Sequence, residues 1–205
     1  MNDNWSHFLK QIKDVKQVFL VGPMLKQTYT PVAPTIFVDG GCDYRADSVE
    51  SNVATVSVGD GDSAVKPMEV ELPRKKNYSD LAWVLRNLPS TIRHVELVGF
   101  RGGRLDHELA NFGEAHAFLR DRKIFTTVRF EESVVGFAGG ALKVPISGEF
   151  SLMVMEKAEV TMTGACQYPL EKPTVVEPCS SVGLSNVGSG AVLIACNKPA
   201  FLFLV

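Results

Sequence analysis

No apolar run in this chain approaches the roughly 18 residues that suggest a membrane helix. The longest, Ala191-Val192-Leu193-Ile194-Ala195-Cys196 and Phe201-Leu202-Phe203-Leu204-Val205, fall far short. The amino terminus, Met1-Asn2-Asp3-Asn4-Trp5, lacks the basic start and apolar stretch of a secretory signal, so a cytoplasmic protein with no membrane partner is expected. Cysteine is scarce. Cys42, Cys166, Cys179 and Cys196 are far apart and form no C-x-x-C pair, which argues against a zinc site or a thioredoxin-like motif and favours reduced, packing thiols. Charge of one sign is lacking too. A net charge of −2 gives no broad basic field for nucleic acid, so a polyanionic ligand must be met locally or through a metal. The cluster Arg74-Lys75-Lys76 is one local candidate, its alternative being a solvated surface run. Finally, no G-x-x-x-x-G-K-[ST] loop occurs, which excludes a Walker A phosphate site.

What the chain does contain is three acidic, glycine-rich segments, each directly after a strand-like run. They are Asp39-Gly40-Gly41, Gly59-Asp60-Gly61-Asp62-Ser63 and Gly102-Gly103-Arg104-Leu105-Asp106-His107. Preceding them are the strand patterns Thr35–Val38, Val53–Val58 and His94–Val98, with an earlier strand at Gln17–Val21. Apolar positions at Trp5, Phe8, Leu9 and Ile12 predict a short leading helix over Trp5–Lys13. Leu81, Val84, Leu85 and Leu88 predict another from Asp80 to Leu88, with Ser79 as its N-cap. A third follows the glycine turn, with Leu105, Leu109, Phe112 and Leu119 as its expected inner face. Strands alternating with turns and helices predict an α/β, Rossmann-like domain over 1–124 with a mainly parallel sheet, which binds ligands at the carboxyl ends of its strands. From Thr126 onward, short strands punctuated by Gly, Pro, Ser and Asn predict an all-β sandwich or roll over 125–205.

The acidic turns carry the chemistry. Asp60 and Asp62, two residues apart in one turn, can reach one hard cation, and Mg²⁺ prefers a few carboxylates plus phosphate oxygens. Asp and Gly are also common turn formers, so the bland alternative is a solvated turn. Asp39 at a neighbouring strand end and Asp80 at a helix start raise the number of convergent carboxylates to four. Strand, Gly102-Gly103-Arg104, then helix is an arrangement that turns backbone amides and a helix terminus toward an anion, with Arg104 able to grip two phosphate oxygens. Asp106 suits a helix-dipole role equally well.

Taken in order, Asp39-Gly40-Gly41, Gly59-Asp60-x-Asp62-Ser63, Lys76-x-x-Ser79-Asp80, Gly99-x-x-Gly102-Gly103-Arg104-x-Asp106-His107-x-x-x-Asn111 and Ser185-Asn186 resemble the thiamine pyrophosphokinase family. Gly164 to Leu170 is similar to that family's Gly-x-x-Tyr-x-Leu stretch. The resemblance spans Val18 to Val205 and implies an ATP-dependent diphosphotransferase that moves diphosphate from ATP to the thiamine hydroxyl and releases AMP. It also implies a homodimer with the active site at the subunit interface. By position it assigns Asp39, Asp60, Asp62 and Asp80 to Mg²⁺, and Asp39, Gly40, Gly41, Lys76, Gly102, Gly103 and Arg104 to the nucleotide phosphates. It places Asp62, Asp80, Arg104 and Asp106 in catalysis, and Ser185 and Asn186 beside thiamine. The chain departs from the family pattern at Asn77, usually an acid, and at Gly61, usually aromatic. The alternatives are diphosphate transfer to another hydroxymethyl heterocycle, such as a pterin, and a nucleotide- or thiamine-binding protein without efficient turnover.

Overall fold

The structure is a computed structural model that describes residues 2–47 and 53–205. It divides into two compact units, 1–114 and 115–205.

In the first unit, helix α1 (Asp3–Gln11) begins where the Asn2 side chain accepts the Asn4 N–H at 2.9 Å. Strands β1 (Gln17–Val21), β2 (Thr35–Val38) and β3 (Thr55–Gly59) follow, with a 3-10 turn at Asp39–Tyr44. A two-residue strand, β4 (Val70–Glu71), precedes α2 (Asp80–Asn87) and β5 (His94–Val98). Ser79 caps α2 as its sequence predicts, its Oγ accepting the Ala82 N–H at 3.1 Å. All strand pairings in this unit are parallel, in the order β5-β1-β2-β3-β4. The order reverses at β1, which pairs with β2 on one side and β5 on the other. The carboxyl ends of β1 and β5 therefore flank the crevice where an open α/β sheet binds ligands.

The apolar positions explain this layering. β2 is buried along its whole length, as expected of a strand covered on both faces. Trp5 and Phe8 of α1 are buried, and Trp5 meets Trp83 of α2 edge-on with ring centroids 5.0 Å apart. Beneath the 3-10 turn, Val21, Phe37 and Cys42 form a small core joined by Leu25, Tyr29, Ala64 and Met68. Burial, then the neighbouring Asp43, pushes the Cys42 thiol up to about 11, so it packs as an inert apolar group. All four cysteines are free; Cys42 and Cys196 are buried, whereas Cys179 is exposed.

Helix α3 (Leu105–Arg120) corrects one expectation. Leu105 and Leu109 are 70% and 57% exposed, and the buried residues Ala115, His116, Phe118 and Leu119 all lie in its later turns. The first turns of the helix border a cavity, which His107, Glu108 and Asn111 line, so helical spacing there did not mark a buried face.

The second unit holds β6 (Thr127–Phe130), β7 (Val134–Phe137), β8 (Gly140–Val154), β9 (Ala158–Cys166), β10 (Leu170–Val176), β11 (Asn186–Cys196) and β12 (Ala200–Leu204). They pair antiparallel in one hydrogen-bonded series, β10-β9-β11-β8-β12-β7-β6. The long β8 pairs with β11 through residues 140–150 and with β12 through 150–154. Phe137, Phe150, Val160, Val192, Ile194 and Leu202 share a single core.

Candidate active site

The carboxyl ends of the parallel strands open into a cavity of about 670 Å³, lined entirely by residues of the first unit. Pro23 and Met24 follow β1, Asp39 follows β2, Asp60 and Asp62 follow β3, and Gly99, Phe100, Gly103 and Arg104 follow β5. Lys76, Tyr78, Ser79, Asp80 and Leu81 complete the wall from the start of α2.

Three of the four expected metal ligands converge. One carboxylate oxygen each of Asp39, Asp60 and Asp62 lies within 4.8 Å of the others. Asp39 is held in the left-handed region at φ 50°, a conformation that Asp tolerates better than most residues. It turns the chain sharply at the end of β2. Its Oδ1 is buried and meets no hydrogen-bond donor among the described residues. Burial, followed by the nearby Asp80, Asp62 and Asp60, raises its pKa despite the Gly40 N–H. A buried, orphaned carboxylate oxygen among further carboxylates is the donor set of a hard divalent cation, so these residues fit Mg²⁺.

Asp80 is placed differently. Its Oδ1 lies 3.1 Å from Lys76 Nζ, an ion pair without hydrogen-bond geometry, and the same ammonium donates a hydrogen bond to Asp60. All three side chains are about nine-tenths buried. Burial works to lower the Lys76 pKa, but the hydrogen bond to Asp60 and the ion pair with Asp80 outweigh it and the net shift is upward. The shared cation lowers the Asp60 pKa, whereas burial dominates at Asp80 and leaves its pKa raised. Lys76 thus divides the acids into a cluster of three and a separate basic carboxylate.

Arg104, also in the cavity lining, forms a bidentate pair with Asp106, Nε to Oδ1 at 3.1 Å and a terminal nitrogen to Oδ2 at 2.6 Å. Both side chains are mostly exposed, so the pair orients the guanidinium more than it stabilises the fold. Asp106 itself does not line the cavity. Glu108 accepts from Arg101 Nε at 3.1 Å and from the Gly102 N–H at 3.2 Å, and the Asn111 amide donates to the Phe100 carbonyl at 2.8 Å. These bonds tie the glycine turn to α3. Gly40 and Gly41 are buried behind the cavity, where they let the 3-10 turn pack directly on neighbouring backbone. Gly102, at φ 84°, makes the turn possible.

Ser185 and Asn186 stand at the start of β11 in the second unit. Asn186 is buried; its Oδ1 accepts the Tyr168 N–H at 3.0 Å and its Nδ2 donates to the Tyr168 carbonyl at 2.7 Å. Its amide is therefore spent on the main chain of the Gly164–Leu170 stretch. Ser185, at φ 51°, donates its N–H to Ser151 Oγ at 3.0 Å. Tyr78, Ser63, His107 and Asn111 also line the cavity, although the site assignment from sequence leaves them out. Their signal was adjacency to assigned residues within the same motifs.

No protein-family profile matches the sequence, nor does any curated protein. Solved structures do. The thiamine pyrophosphokinase of Bacillus subtilis aligns with a TM-score of 0.65 at 19% identity, over 93% of this chain and 99% of its own. A thiamin pyrophosphokinase family protein of Enterococcus faecalis gives 0.66 at 20% identity, over 93% and 99%. The thiamin pyrophosphokinase of Candida albicans gives 0.63 at 13% identity, over 95% and 90%. The chain has the thiamine pyrophosphokinase fold. The resemblance first drawn from ordered motifs is thus matched by similarity of backbone over nearly the whole chain. Within that fold the carboxylate cluster lies at the carboxyl ends of β2 and β3, beside the strand at which the order reverses.

Proposed function

We propose that the protein is a thiamine pyrophosphokinase, transferring diphosphate from ATP to the hydroxyl of thiamine to give thiamine diphosphate and AMP. The observation that carries this reading is the Asp39–Asp60–Asp62 cluster, with its orphaned buried oxygen, lining one cavity with Arg104. Bound by Asp39, Asp60 and Asp62, Mg²⁺ would supply charge neutralisation on the phosphate oxygens.

The chain's own residues account for the rest. Positioning and electrostatics dominate phosphoryl transfer, because the protein has little covalent chemistry to perform. Arg104, oriented by Asp106, grips two phosphate oxygens, and Lys76 with the Gly103 amide receives others, the Gly102 amide being held by Glu108. The thiamine oxygen forms the new bond to the β-phosphorus as the bond from that phosphorus to the α-phosphate oxygen breaks. AMP departs with the electron pair. Of the two candidate proton acceptors, Asp80 suits the hydroxyl proton better, since its pKa is raised and its Oδ1 lacks a hydrogen bond. Asp106 is held below its ordinary range, the bond from Arg104 being the main cause. Ser185 and Asn186 belong to the thiamine side of a homodimeric, cytoplasmic enzyme, Asn186 acting by holding the Tyr168 segment.

A second reading is favoured by Gly61. A Cβ there would meet nothing within 4 Å, so the turn between Asp60 and Asp62 sets no aromatic wall against the acceptor, and another hydroxymethyl heterocycle such as a pterin is the alternative. Assay of AMP release from Mg²⁺-ATP with thiamine and with a hydroxymethylpterin tests both. Release dependent on thiamine supports the first reading, and release dependent on the pterin alone replaces it with the second. Tight binding of ATP or thiamine with no AMP would leave a binding protein.

A further inference from the structure

Asp43 lies outside the cavity, yet it holds the segment that carries two of the three clustered acids. Its Oδ1 accepts the main-chain N–H groups of Val65 at 3.0 Å and Lys66 at 2.9 Å, and its Oδ2 accepts that of Val65 at 3.0 Å. These bonds join the 3-10 turn, whose first residue is Asp39, to the far end of the segment that begins with Asp60 and Asp62. Slight burial works against the Asp43 charge, but the Val65 and Lys66 N–H groups outweigh it and hold the carboxyl below its ordinary range. Two weaker links run alongside. Cys42 Sγ lies 3.6 Å from the Lys66 carbonyl, and Lys66 Nζ donates to the Arg45 carbonyl at 2.9 Å.

The two backbones approach closely. A Cβ on Gly59 would lie 2.9 Å from Asp39 Cα, and one on Gly40 would lie 3.1 Å from the Ser63 carbonyl. With so little space, a small slip of the 60–66 segment changes the separation of Asp39 from Asp60 and Asp62. Burial of Val65 does not prevent that slip, because Val65 is 93% exposed. Charge-assisted bonds from a carboxylate to main-chain N–H groups are strong enough to do so.

We infer that Asp43 is a positioning residue, which pins the 60–66 segment against the 3-10 turn so that Asp60 and Asp62 meet Asp39 within reach of one cation. The inference rests on the cation reading proposed above. It assigns Asp43 no contact with substrate or metal. It also distinguishes Asp43 from Asp47, whose carboxylate pairs with Lys66 at 3.2 Å but is 96% exposed and, among the described residues, accepts no main-chain N–H.

Binding of Mn²⁺ to the full chain, read by electron paramagnetic resonance without nucleotide or thiamine, tests this apart from turnover. Wild type is expected to bind. Asp43→Ala should weaken binding about tenfold or more, equivalent to about 1.4 kcal/mol, and should speed amide exchange at Val65 and Lys66. Asp43→Asn keeps the Oδ1 acceptor but loses the charge and the Oδ2 acceptor, so it should weaken binding less than Asp43→Ala, while Asp47→Ala should stay within roughly threefold of wild type. Should Asp43→Ala not fold, Asp43→Glu carries the same test, since it keeps the charge but displaces the carboxylate by one methylene. Unchanged binding in Asp43→Ala, or in Asp43→Glu where that variant replaces it, would overturn the positioning role and leave the cation site standing. Equal weakening in Asp43→Asn would overturn it in favour of a pure charge effect. Failure of wild type to bind Mn²⁺ would overturn the cation reading and this inference together.

Discussion

Lys76 and Asp80 form an ion pair at 3.1 Å, across one turn of chain, while the same ammonium is hydrogen-bonded to Asp60. One nearly buried cation therefore serves two carboxylates that approach from different elements. Its charge is what allows the acids at the ends of β2 and β3 to stand beside the acid that opens α2.

Replacing Lys76 with Met removes that shared charge and leaves two buried carboxylates uncompensated. Breaking a buried pair from one side costs about 3–5 kcal/mol, so the metal-free protein should lose stability on that order in urea unfolding. Transfer activity should fall about a hundredfold or more in kcat/KM, which is roughly 2.7 kcal/mol. A variant with wild-type stability and turnover would show that the ammonium serves neither the acids nor the phosphates.

Asp39 behaves in the opposite sense. Its pKa is raised, chiefly by burial and then by neighbouring acids, so its ionised form opposes folding when no cation is present. The stability linked to its protonated form is full below the ordinary carboxylate range and is lost as pH rises through the raised value. Asp39→Asn should therefore stabilise the metal-free protein at neutral pH, by on the order of 1 kcal/mol or roughly 2–4 °C in Tm. That gain should vanish toward pH 4, and the variant should lose the stabilisation that Mg²⁺ gives wild type. A lower Tm than wild type in metal-free buffer at pH 7 would contradict this electrostatic account.

Asn186 offers a test in the second unit. Asn186→Ala strands the Tyr168 N–H and carbonyl that its amide now satisfies. A cost of about 2 kcal/mol is expected from unfolding curves, with KM for thiamine rising more than KM for ATP. Equal effects on both substrates would argue against a thiamine-side role for the Tyr168 segment.

Much of this architecture was legible in the residues. Strand-length apolar runs ending in Asp-Gly or Gly-Asp marked the parallel sheet and its carboxyl edge, and Ser79 marked the start of α2, because each signal is local. The convergence of Asp39 with Asp60 and Asp62 was legible for the same reason, as adjacent parallel strands deliver their ends to one place. Other features depend on contacts distant in the chain and left no local trace. Leu105 and Leu109 have helical spacing yet stand exposed. Lys76 sits in a basic run that resembles solvated surface, yet it is nearly buried and paired with Asp60 from the end of β3 as well as with Asp80 four residues on. Asp43 falls in a glycine-rich turn, and only folding shows that it grips the main chain at Val65 and Lys66. The two-residue β4 is too short to carry any period.

The most direct test is the product balance of a reaction of purified protein with ATP, Mg²⁺ and thiamine, run beside Asp62→Asn. Wild type should yield AMP and thiamine diphosphate in equal amounts, with no ADP, and Asp62→Asn should fall at least about a hundredfold in kcat/KM, or roughly 2.7 kcal/mol. Formation of ADP, absence of thiamine diphosphate, or near-normal turnover by Asp62→Asn would contradict diphosphate transfer at this carboxylate cluster.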